Sequence, residues 1–416
     1  MKLQRMKAVG IAVGLLGSAV SAHAGGLERS SQDFDTLFEQ GTVIDTTGTF
    51  VAPQRKLKNI RGSGIGALTG GRNPYTGQAY GTDVDEAKSY WVPKFSAKFD
   101  LTEDLACSAQ YRQPWGIETD VGLDTVRSFV AIEQKISSND YGLNCSYRFA
   151  AGEKGYFRLL GGVSYQELKG EQTKAIPPFG HPFGGSWRVA SLDVEDSSVG
   201  WRLGAAYEIP EYAIRASVVY QSEVKYTLDG TIDNLALNPR TGASIPIAVD
   251  GDVATPQSVE FKFQTGIAPD WLAFGSVKWT DWSTVTDVNF LAKANQVVPQ
   301  GQRVTGLNLY YQDGWTVSGG VGHKFNDQWS AAATVTWDRG TSTGLTSQTD
   351  IWLFGLGTNY KATENFEVRL AGAAGWLSSG EIDDTYVNGV YSATGSKGDF
   401  GNDFVGALSL TAKVKF

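Results

Sequence analysis

The segment that closes the chain constrains its fold more than any other. Between residues 403 and 416, Phe404, Leu408, Leu410, Ala412, Val414 and Phe416 share one parity, while Ser409, Thr411, Lys413 and Lys415 share the other. Side chains alternate faces along a strand, so this segment has one greasy face, one wet face and a free terminal aromatic. Such a strand suits the seam of a transmembrane β-barrel, its apolar face towards lipid and its backbone groups paired by closure. In that setting it is the expected recognition element for the barrel assembly machinery, and a bacterial outer membrane is the expected location.

The N-terminus points to the same compartment. Lys2, Arg5 and Lys7 precede a short run of apolar and small residues from Ala8 to Val20, and Ala22-His23-Ala24 follows. This pattern reads as a secretory signal peptide over residues 1–24, too short to span as a helix. Its removal takes the net charge from −8 to about −11, which argues against a nucleic-acid partner. No other run approaches the ~18 apolar residues that a spanning helix needs. The 50 Gly, with 12 Trp, 17 Tyr and 20 Phe, suit barrel strands with interfacial aromatic girdles.

Alternation and turn residues divide the rest into strands near 43–57, 88–100, 104–115, 138–150, 155–169, 196–209, 211–228, 255–267, 270–284, 309–325, 327–340, 349–361, 364–378 and 402–416. In one of them Val259, Phe261 and Phe263 alternate with Glu260, Lys262 and Gln264. Thr102-Glu103-Asp104, Gly152-Glu153-Lys154, Pro210-Glu211, Pro269-Asp270, Asn326-Asp327 and Thr363-Glu364 make short polar turns, whereas most alternate connections are much longer. The expected fold is therefore all-β: a 14-stranded antiparallel transmembrane barrel over residues 43–416, with short periplasmic turns and long extracellular loops. Residues 25–42 are left as a short plug or a tail. Cys107 and Cys145 fall on lipid-facing parity in neighbouring strands. They are expected as structural thiols, with a cross-strand disulfide the open alternative, because sequence does not establish direct opposition.

Several segments resemble the FadL-type family of outer-membrane transporters of long-chain fatty acids and hydrocarbons (OmpP1/FadL/TodX). They are Trp91-Val-Pro93, Arg112-Gln-Pro-Trp-Gly-Ile117, Tyr220-Gln-Ser-Glu-Val-Lys-Tyr226, Thr255-Pro256, Asp270-Trp271, Trp279-Thr-Asp-Trp282, Tyr311-Gln-Asp-Gly-Trp315, Phe325-Asn-Asp-Gln-Trp329 and Asp350-Ile-Trp-Leu353. Each is weak alone; their order and spacing carry the resemblance over most of the chain. The start departs from it. The family's longer N-terminal hatch carries Asn-Pro-Ala, whereas here the first strand begins near Val43, and Asn73-Pro74 lies in the first long loop.

The resemblance implies uptake of hydrophobic compounds, long-chain fatty acids foremost, by capture in outer loops, passage into the lumen and sideways exit. Proline cannot donate a ladder hydrogen bond, so Pro114, with Gly116 after it, is the expected kink in the third strand that opens the wall. Two apolar loops supply the expected capture groove: Ile176, Phe179, Phe183 and Trp187 in one, and Leu235, Leu237, Ile245 and Ile247 in the other. Inward-facing cations at Arg148, Arg202, Arg215, Lys262 and Lys278 are candidates for a substrate carboxylate; ladders with the barrel's own acids are the competing use. After leader cleavage only His181 and His323 remain, neither beside a convincing nucleophile, so no catalytic residue, metal site or cofactor is expected. Hydrophobic small molecules and outer-membrane lipids are the expected partners, and a monomer the expected state. The alternative is a general diffusion porin for small hydrophilic solutes. A barrel serving only as an adhesin or scaffold rests on the long loops alone.

Overall fold

The computed structural model describes residues 26–416 except 32–33, 64–66, 68, 178–186, 296, 388–389 and 393, so the leader over 1–24 lies outside the described residues. Fourteen strands form one closed antiparallel barrel. They are β1 (Val43–Pro53), β2 (Tyr90–Asp100), β3 (Leu105–Arg112, resuming at Gly116–Asp120), β4 (Glu133–Ala151), β5 (Gly155–Ile176), β6 (Arg188–Ile209) and β7 (Ile214–Gln221, resuming at Val224–Leu237). The second half comprises β8 (Ser244–Thr255, resuming at Ser258–Ala268), β9 (Trp271–Thr280, resuming at Asp287–Ala292), β10 (Arg303–Asn308, resuming at Gly314–Lys324), β11 (Trp329–Arg339), β12 (Ile351–Lys361), β13 (Phe366–Leu377) and β14 (Asp403–Lys415). The terminal strand β14 pairs with β13 on one side and with β1 on the other, from Val43↔Lys415 to Pro53↔Val405, and so closes the cylinder. Closure leaves neither β1 nor β14 as an edge whose backbone groups face hydrocarbon.

Strands β4 to β8 run further than the sequence pattern marks. The expected break between 228 and 255 is instead a long hairpin whose turn lies at 238–243. The reason is that these strands change sides. Along the lower part of β5, Leu159, Val163 and Tyr165 face outward and exposed, while Ser164 and Gln166 are buried inside. From Leu168 upward the apolar residues turn inward, and Glu167, Lys169 and Glu171 take the outer face. In β6, Val199, Trp201 and Leu203 are exposed outside, and above them Leu192 and Val194 are buried inside. Within lipid the outer face must be apolar; above it water wets the outside, and the interior becomes the only dry place. The outcome is an ordinary hydrophobic core in the upper barrel, joining Leu168, Leu192, Val194, Leu228, Ile232 and Phe290.

The first long loop does not extend β1 to residue 57 as expected. Its Lys56–Gly62 strand joins Val84–Asp85, Gly380–Ile382 and Ser396–Phe400 in a small sheet outside the barrel, packed through Leu57, Ile60, Val126, Ile382 and Phe400.

The two cysteines correct the expectation of free thiols. Cys107 of β3 and Cys145 of β4 stand directly opposite in the ladder and form a disulfide. Register, which parity does not determine, decides the matter. The purified protein is expected to take up no alkylating reagent unless it is first reduced; labelling of two thiols without reductant would contradict this pairing.

Candidate functional site

The described residues between Gly26 and Thr42 run among the inward-facing side chains of the barrel. A short 3-10 helix, Asp35–Phe38, sets Leu37, with 0% exposure, and Phe34 against Ala106, Leu160, Ala206 and Val219, which project from β3, β5, β6 and β7. The ring of Phe38 lies beneath the guanidinium groups of Arg158 and Arg215, 5.1 and 4.4 Å from their central carbons. Arg158 donates to the Leu37 carbonyl at 3.1 Å, Arg112 to that of Ser30 at 2.9 Å, and Lys98 to those of Glu39 and Gly41 at 2.9 and 2.8 Å.

Three carboxylates of this segment each find wall cations. Glu28 pairs with Lys278 of β9. Asp35 pairs with Arg215 of β7 at 3.2 Å and Lys262 of β8 at 3.3 Å. Glu39 pairs with Lys413 at 2.5 Å and Lys415 at 2.8 Å, both on β14. Of the other candidate cations, Arg202 pairs with buried Asp140, which Arg112 also binds, and Arg148 pairs with Asp104 of a periplasmic turn at 3.2 Å. All five therefore lie on the chain's own carboxylates, three of them on acids of the N-terminal segment. Below the segment a wide vestibule opens between the short turns, lined by charged residues such as Glu39, Arg148 and Glu208.

Above the segment lies a narrow cavity of about 80 Å³. Leu27 belongs to its lining, together with Trp115, Leu168, Val194, Val288 and Phe290. At the same end Trp115, Trp282 and Tyr311 pack edge to face at 5.5 and 5.7 Å. The lining is almost wholly apolar, but the Gln172 side-chain nitrogen is buried there without an acceptor. One step further out along the same face of β5, Lys174 donates to the Thr305 hydroxyl at 2.8 Å, and Arg303 lies within its electrostatic reach. Neither cation forms an ion pair among the described residues. Sequence reasoning missed both, because it placed them in loops, where parity gives no facing.

The wall is interrupted beside the cavity. The ladder between β2 and β3 ends at Lys94↔Arg112, and residues 90–93 pair only with β1. Between Arg112↔Asp140 and Gly116↔Ser137, β3 carries one residue more than β4, so the chain bulges across Gln113-Pro114-Trp115. Ser138 spans the bulge, accepting from the Trp115 N–H and donating to its carbonyl, both at 2.8 Å. The other edge of β3 is taken by the N-terminal segment. Arg29 N–H donates to the Pro114 carbonyl at 2.7 Å and Gly116 N–H to that of Leu27 at 2.8 Å. The Arg29 side chain then lies between the strands, 3.9 Å from the Tyr90 ring centre and so close to Gly116 that a Cβ there would fall 2.7 Å from Nε. A side chain at position 116 would collide with it.

The capture-groove residues need correction. Ile176, Leu235 and Ile247 are on strands and buried, with Ile245 packed against the same core, so they do not line an exposed groove. Leu237 ends β7 and is half-buried. Being apolar and above the lipid, these side chains turn inward and belong to the core around the cavity. Trp187 lies between Tyr75 and Phe129, at 6.1 and 5.9 Å. Phe179 and Phe183 lie outside the described residues.

Burial by itself would push the Glu39 carboxyl upward; Lys413 and Lys415 outweigh it and hold the group at about 2. The contribution of this tether is present above the ordinary value of 4.5 and is lost as pH falls through about 2. Glu39→Gln is expected to destabilise the barrel by on the order of 3 kcal/mol at neutral pH, as for other broken buried pairs. The difference from wild type, followed by thermal unfolding, should shrink to nothing as pH approaches about 2. A difference that persists undiminished there would count against the ion pair.

A model of the family described as outer membrane protein transport protein (OMPP1/FadL/TodX) matches residues 36–407. No curated protein matches the chain. Among solved structures, a FadL homologue from Pseudomonas aeruginosa superposes with a TM-score of 0.76 at 16% identity, over 96% of this chain and 97% of that one. The Pseudomonas putida toluene transporter TodX gives 0.61 at 14% identity, over 94% and 98%. The Ralstonia pickettii toluene transporter TbuX gives 0.59 at 13%, over 91% and 90%. At these identities the likeness is one of fold.

Proposed function

Because the chain belongs to the FadL/TodX family of outer-membrane channels for hydrophobic compounds, we propose that its guests are long-chain fatty acids, held tail-down in the apolar cavity with the carboxylate at Lys174 and Arg303. Family and fold are those of transport channels, in the outer membrane of a Gram-negative cell. The observation that carries the finer reading is a contrast in charge. The five lumen cations are already paired with the chain's own acids, whereas Lys174, one step out from the cavity's Gln172, and the exposed Arg303 near it have no acid partner among the described residues. Burying each methylene is favourable by about 0.8 kcal/mol, so a dry cavity retains a long chain, and the two cations orient it.

The bulge at Pro114 supports sideways departure. It leaves β2 and β3 without mutual hydrogen bonds beside the cavity, so a guest crosses there by displacing residues 27–29 from the edge of β3 rather than by parting two barrel strands. A second reading, a neutral aromatic hydrocarbon, is favoured by the Trp115, Trp282 and Tyr311 cluster. A diffusion porin for hydrophilic solutes fits poorly, since the N-terminal segment lies across the axis between cavity and vestibule.

Oleate binding, followed by tryptophan fluorescence from the cavity wall, tests the head-group assignment. Lys174→Gln with Arg303→Gln should weaken oleate by about tenfold or more, the scale of a charge-assisted hydrogen bond, and methyl oleate far less. Equal weakening of both ligands would remove the fatty-acid reading. Pro114→Thr restores a donor at the bulge and should slow transfer of oleate into the membrane while leaving its binding in place. Unaltered transfer in that variant would remove the sideways exit.

A further inference from the structure

We propose that Arg29 is a second head-group station, set in the wall gap, that passes the carboxylate of a departing acid into the membrane. This role rests on the fatty-acid reading above. Arg29 differs from the cations that surround the N-terminal segment. Arg202, Arg215, Lys262, Lys278, Lys413 and Lys415 all lie on acids, whereas Arg29 forms no ion pair among the described residues. Its Nε and Nη2 are buried without an acceptor; the guanidinium lies over the face of the Tyr90 ring, with Glu118 within electrostatic reach but not in hydrogen-bonding contact.

Backbone geometry fixes where those donors sit. The hydrogen bonds of residues 27–29 to Pro114 and Gly116 place Arg29 between β2 and β3, and the missing Cβ of Gly116 gives the guanidinium its space. Glu28, the adjacent residue, is engaged by Lys278 and stabilised by the Ser31 hydroxyl at 3.1 Å, so it does not neutralise its neighbour. Leu27, two residues before Arg29, lines the cavity. A hydrocarbon chain in the cavity therefore touches the segment that carries the arginine.

Buried N–H donors without acceptors are costly, and a guanidinium binds a carboxylate through two parallel hydrogen bonds. An acid leaving the cavity satisfies the donors that Tyr90 does not, exchanging a weaker cation–π contact for a charge-assisted one. A hydrocarbon gains nothing at this point, and an ester, which accepts without a charge, gains only the weaker neutral bond. Arg29 thus makes the exit selective for acids, where an inert stopper would treat every guest alike.

The test uses the full-length barrel in lipid vesicles, with rates of transfer into the bilayer measured for oleate and methyl oleate. Heat-modifiable migration on a gel confirms that each variant is folded. Arg29→Met fills the same space without donors, and the oleate to methyl oleate rate ratio should fall by about tenfold or more. Arg29→Lys keeps the charge but lacks the fork, and its ratio should lie between wild type and Arg29→Met. A ratio unchanged in Arg29→Met, whether both rates move together or neither moves, overturns the role assigned to Arg29. If wild type instead shows no preference for oleate over its ester in equilibrium binding, the fatty-acid reading falls, and this role with it. A wild-type binding preference together with an unchanged ratio in Arg29→Met leaves that reading standing and removes the arginine alone.

Discussion

Three carboxylates on a segment of seventeen residues organise the interior of this barrel. Glu28, Asp35 and Glu39 bind cations on β7, β8, β9 and β14, and so fix the N-terminus across the lumen. Ion pairs of this kind cost desolvation and add little net stability, but removing one partner leaves a buried charge without its counter-charge. Their effect here is placement. Leu37 and Phe34 are pressed against the small inward residues of four strands, Leu27 reaches the cavity, and residues 27–29 are laid along the open edge of β3. The same pairs neutralise the cations that a charged guest would otherwise meet deep in the channel.

The second constraint is the solvent on the outside. A transmembrane barrel is apolar outside and polar inside only as far as lipid covers it. In β4 to β8 the strands continue above that level, and the apolar residues change faces. This switch gives a protein with a polar lumen a dry chamber at its outer end. The chamber, the plug beneath it and the interrupted wall beside it form one continuous region, since Trp115 belongs both to the cavity lining and to the bulge of β3.

The sequence was informative where one rule held along a whole strand. Alternation in residues 403–416 and 258–268 marks faces and strand type directly, and the count of fourteen follows from it together with the polar turns. It failed where the rule reversed. Ile176, Leu235 and Ile247 read as greasy loop residues because, above the lipid, an apolar side chain no longer signals an outward face. Lys174 and Arg303 were lost with the same strand extensions. Parity also told that Arg215, Lys262 and Lys278 face inward without telling what they meet there, since their partners lie more than 170 positions away. The disulfide needed register, a property of two strands together. The bulge at Pro114 involves a residue whose missing N–H is local chemistry, readable without a partner strand.

On the proposed route the N-terminal segment fills the axial path, and a hydrophobic guest leaves from the cavity through the wall, past residues 27–29. Ion conductance of the purified full-length barrel in a planar bilayer at neutral pH tests that claim most directly. With Glu28, Asp35 and Glu39 holding the segment in place, the barrel should remain closed to small ions. A large and steady conductance would contradict the account and describe a water-filled pore instead.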